Sequence, residues 1–92
     1  MPVNLLSVAL VTGEWTDLYE STGIPVGSKL GVHNISSSDI RLTSVLLQPQ
    51  TDSDMYQIIQ PNNLPMTNDT GDQGAWAMSL SQNSKLQVWQ IL

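Results

Sequence analysis

The sequence contains no cysteine and no phenylalanine, and only three basic residues, Lys29, Arg41 and Lys85, stand against eight acidic ones. The missing thiols exclude disulfides, thiolate metal sites and a cysteine nucleophile together. With a net charge of −5, the chain cannot build the basic patch by which proteins neutralise nucleic-acid phosphates or bind anionic membrane surfaces. Long apolar runs are lacking too. The most apolar stretch, residues 3–11, is broken by Asn4 and Ser7, falls far short of a bilayer span, and has neither a basic flank nor a small-residue cleavage site. It reads as a buried strand, in a protein made in the cytoplasm.

At 92 residues the chain has the length of one small domain, taken as 1–92. Leu, Ile and Val number 25, enough for a core. A domain this short buries about 60–65 % of its unfolded surface, so a monomer is marginal, and without disulfides self-association is the remedy. Ser, Thr, Asn and Gln total 32 against 11 charged residues. Such a surface is wet but electrostatically quiet, and suits solvent-facing strand positions.

Two-residue alternation dominates the pattern. Leu30, Val32 and Asn34 face one way and Lys29, Gly31 and His33 the other, predicting a strand closed by a turn at 36–39 and continued as a hairpin into a long strand over 40–47 that Pro49 stops. Further strands are expected at 55–60, 75–80 and 85–91, the last two forming a second hairpin around Ser81-Gln82-Asn83-Ser84. In residues 14–20, Trp15, Leu18 and Tyr19 have helical spacing, and a short helix and a strand remain equally open. Thr22 to Gly27 reads as a structured loop. The expected fold is all-β, a small antiparallel β-sandwich or barrel of about six to eight strands.

Several motifs suggest chemistry and do not sustain it. Asp69-Thr70-Gly71 matches the triplet of dimeric aspartic proteases, but it sits in a polar run late in the chain and reads as a turn. Asp52, Asp54, Asp69 and Asp72 lack the spacing of a calcium loop. His33 with Ser28 or Ser36 makes a triad only on paper. The sequons at Asn34 and Asn68 carry no weight without a secretory route. Trp15, Tyr19 and Tyr56 offer a glycan-stacking alternative, set against the need of a phenylalanine-free core for bulky rings. No catalytic residue, cofactor or metal is expected.

The run Trp15-Thr16-Asp17-Leu18-Tyr19, continuing through Thr22-Gly23-Ile24-Pro25-Val26-Gly27 to Leu30 and Asn34, with Gly74-Ala75-Trp76-Ala77 further on, resembles a group of short β-rich accessory proteins encoded among the virion genes of tailed bacteriophages. The similarity spans roughly residues 13–90. It implies a non-enzymatic virion component, made in the bacterial host, that docks on a capsid, portal or tail protein. The alternative is a host-glycan-binding module of a fibre. The apolar C-terminal strand adds an expectation of its own: Val88, Trp89, Ile91 and Leu92 are partly buried by neighbouring subunits of a symmetric homo-oligomer, taken as a trimer to match a three-fold virion site.

Overall fold

The computed structural model describes residues 6–45, 47–50, 54, 56–61, 66–67 and 74–91. These form β1 (Leu6–Ala9), β2 (Thr16–Asp17), α1 (Leu18–Thr22), β3 (Lys29–Asn34), β4 (Ile40–Thr43), β5 (Gln57–Ile59), β6 (Met66–Thr67), β7 (Trp76–Met78) and β8 (Lys85–Ile91). The strands make two four-stranded antiparallel sheets, ordered β1-β8-β3-β6 and β2-β7-β4-β5. Val8, Leu30, Val32, Leu86 and Val88 of the first sheet meet Ile40, Leu42, Ile59 and Ala77 of the second in one buried cluster. The fold is therefore all-β, with its core between two layers.

Strand β3 alternates as its sequence dictates, with Leu30, Val32 and Asn34 buried and Lys29 and His33 half-buried on the other face. β8 matches its expected bounds and is the longest strand, paired with β1 on one side and β3 on the other.

The two expected hairpins do not form. β3 and β8 belong to the first sheet, whereas β4 and β7 belong to the second, so residues 35–39 and 79–84 carry the chain from one layer to the other. The reason is burial on one side of each strand: strands with one apolar face gain more by facing each other across the core than by lying side by side. Among the described strands, only β4 and β5 are both consecutive and paired. β4 is also shorter than the expected 40–47 strand. It ends at Thr43, beyond which Val45 and Leu47 are exposed.

Both layer-crossing corners are closed by buried polar side chains. Asn34, fully enclosed, donates from Nδ2 to Ser38 O at 2.7 Å and Ile59 O at 2.8 Å, while its Oδ1 accepts from the Ser36 amide and hydroxyl. At the other corner the buried hydroxyls of Ser79 and Ser84 lie 2.6 Å apart, Ser79 Oγ accepts from the Ser81 amide, and Ser84 Oγ donates to Ser81 O. Asn83 takes the left-handed conformation there, at φ 60°, which asparagine tolerates better than most residues. In both places the side chains supply the partners that a ladder cannot give a chain leaving its sheet.

Segment 14–20 resolves into both of its alternatives, since β2 pairs with β7 and leads directly into α1. Asp17 caps the helix, its Oδ1 accepting from the amides of Tyr19 and Glu20. Gly23 ends it in the left-handed region, its N–H bonded to Tyr19 O at 2.9 Å.

Candidate functional site

The motif from Trp15 to Gly27 is built into the scaffold. Leu18 and Tyr19 are buried in the core cluster, and the Leu18 amide donates to Ala75 O. The Tyr19 hydroxyl donates to Ser28 O at 2.6 Å, which ties the 22–28 loop back onto α1. Trp15 is only 5 % exposed, and its indole N–H donates to Gln50 O. Tyr56 lies tilted against the Trp15 ring at 6.4 Å, and the Arg41 guanidinium sits over Tyr56 at 4.6 Å from the ring centre.

The glycan platform of Trp15, Tyr19 and Tyr56 is thus not assembled. Tyr19 belongs to the buried core cluster, Trp15 is enclosed, and the Tyr56 ring carries the guanidinium of Arg41. A chain without phenylalanine uses these rings as packing volume.

Other sequence candidates disperse as well. Ser36 Oγ is engaged by Asn34 Oδ1 and Ser38 O, and Ser28 Oγ accepts from Gln90, so neither serine is directed at His33. Asn34, the acceptor of its sequon, is buried. Asp54 is exposed, while Asp52, residues 69–71 and Asp72 lie outside the described residues. Among the described residues no three His, Asp or Glu side chains gather as a metal site requires, and no buried side-chain nitrogen or oxygen lacks a partner.

Of the expected interface residues, Val88 is misassigned: it is fully enclosed in the core, because β8 is a central strand. Removing residues after Gln87 would therefore destroy the core as well as any contact. Trp89 and Ile91 alternate with Val88 and lie on the opposite, outer face of the first sheet, both half-buried, and Leu92 lies outside the described residues.

On that outer face, chemistry-bearing side chains of β3 and β8 converge. Pairing of β3 with β8 sets Lys29 beside Ile91, Gly31 beside Trp89 and His33 beside Gln87, and Lys85 continues the row opposite Ala9 of β1. A Cβ on Gly31 would fall within the Trp89 indole, nearest Cε2 with Cζ2 and Nε1 almost as close, so the ring occupies the space above β3 at that position. Alternation showed each row in the sequence, but not that they adjoin.

No family model, curated protein or solved structure matches the chain.

Proposed function

We propose that this protein is a non-enzymatic structural component of a tailed-bacteriophage virion, docking as a homo-oligomer on a capsid, portal or tail protein. The observation that carries the reading is the use made of the motif that resembles phage accessory proteins: Trp15 anchors a neighbouring segment, Asp17 caps α1, Leu18 and Tyr19 fill the core, and Gly23 ends the helix. The motif serves architecture, as expected of a protein whose task is to present a surface. The small size supports self-association, since so short a chain gains stability by burying further area against a second copy. A cyclic trimer is the simplest form compatible with three-fold sites on virions.

The test is detection of the chain in purified particles of the phage that encodes it, using an antibody raised against the recombinant protein. A fixed copy number per particle is expected, in multiples of three for a trimer. Absence from particles that contain the other structural proteins would overturn the reading.

A further inference from the structure

We infer that the outer face of the β1-β8-β3-β6 sheet receives the acidic β2–α1 edge of a second copy of this chain. The inference rests on the homo-oligomer reading and specifies which surfaces meet.

Among the described residues, no acidic side chain belongs to a strand of this sheet. This sheet carries Lys29 and Lys85, two of the three basic residues of a chain with net charge −5, together with the sole histidine, and none of its four strands contains Asp or Glu. Lys85 is exposed, and Lys29 and His33 are half-buried on the outward side. Lys29 and Lys85 stand toward opposite ends of β8, with Trp89 between them and Ile91 beside Lys29. An aromatic centre with a charged rim is the anatomy of a protein–protein contact. The indole seated over Gly31 offers a surface that loses little conformational freedom on docking.

The complement lies on the same chain. Glu14, Asp17 and Glu20 fall within seven residues, and residues 1–28 contain no Lys or Arg. Glu14 and Glu20 are exposed, flanking β2 and on α1, and α1 packs against β1 and β2 at the edge of the sandwich. Two copies meeting through the basic face alone would set lysine against lysine. Face to edge, each lysine approaches carboxylates, and the contact is heterologous, the type that closes into rings.

Sedimentation velocity of the full chain at micromolar concentration tests this. The wild-type oligomer should weaken at least tenfold as salt rises from about 50 to about 500 mM, because exposed charge pairs are screened over that range. Lys29→Glu with Lys85→Glu should yield monomers that keep the wild-type circular dichroism and melt below the assembled wild type, at a temperature independent of protein concentration, and Glu14→Lys with Glu20→Lys should do the same. Mixing the two double variants should restore association, and so should combining all four substitutions in one chain. An oligomer indifferent to both double variants overturns the proposal but leaves self-association standing. A wild-type monomer at low salt removes both. Loss of assembly in the lysine variant only would show that the acidic edge is not the partner. Binding of polygalacturonate by a monomeric wild type, abolished by the lysine variant, would assign the face to an anionic polysaccharide instead.

Discussion

The indole of Trp89 occupies the space over strand β3 at Gly31, and it does so because position 31 has no Cβ. The residues are cross-strand partners, and the absent side chain of one is the seat of the other. Gly31→Ala is expected to push the ring off the sheet and destabilise the domain by about 1–3 kcal/mol, the usual cost of overpacking. Chemical denaturation gives the energy, and the Trp89 indole N–H resonance reports the movement. An unchanged resonance with unchanged stability would show that the ring does not rest on this position.

The corner between β7 and β8 depends on Ser79 and Ser84. Ser79→Ala leaves the Ser81 amide without its acceptor, and should cost about 1–3 kcal/mol in urea unfolding. Because the two hydroxyls share a bond, Ser84→Ala in the Ser79→Ala background should cost roughly 1 kcal/mol less than it does alone. Strict additivity would mean that the shared bond contributes nothing.

Asn34 gives a prediction with a pH signature. Asn34→Asp places a carboxylate where an amide now donates to the carbonyl oxygens of Ser38 and Ile59. Burial and those two oxygens disfavour the carboxylate and outweigh the Ser36 amide and hydroxyl that donate to Oδ1, so the folded pKa lies above the unfolded value, the native state binds the extra proton, and stability falls as pH rises through the folded pKa. Relative to wild type at the same pH, the deficit should be about 3 kcal/mol or more at pH 7 and clearly smaller near pH 4. Urea denaturation at the two pH values checks this, and equal deficits would contradict it.

Two indole donors hold the chain beyond β4, Trp76 on Val45 O and Trp15 on Gln50 O, each at 3.0 Å. Trp15→Phe and Trp76→Phe keep an aromatic ring and remove the donor, so each should cost about 0.5–1.5 kcal/mol. Amide exchange should accelerate within residues 45–50 while β8 keeps its protection. Uniform acceleration across the domain would indicate a packing effect instead of a lost anchor.

The sequence by itself determined the features whose causes are local. Two-residue alternation delivers β8 at its full length and the inward set Leu30, Val32 and Asn34, because the pleat fixes which side chains share a face whatever the strand pairs with. Spacing in 14–20 leaves a helical turn and a strand equally open, and the structure holds both, with β2 leading into α1.

Only the tertiary structure decided which strands are neighbours. Alternation gives each strand an apolar side without naming its partner, so the turns at 36–39 and 81–84 look like hairpins until two sheets are placed face to face and become crossings between layers. The same placement puts Val88 in the core, commits Trp15 and Tyr19 to packing, and brings Lys29 and Gly31 beside Ile91 and Trp89, some sixty residues away in the chain. Such adjacency depends on where each buried face finds cover, and burial is a property of the whole assembled sandwich.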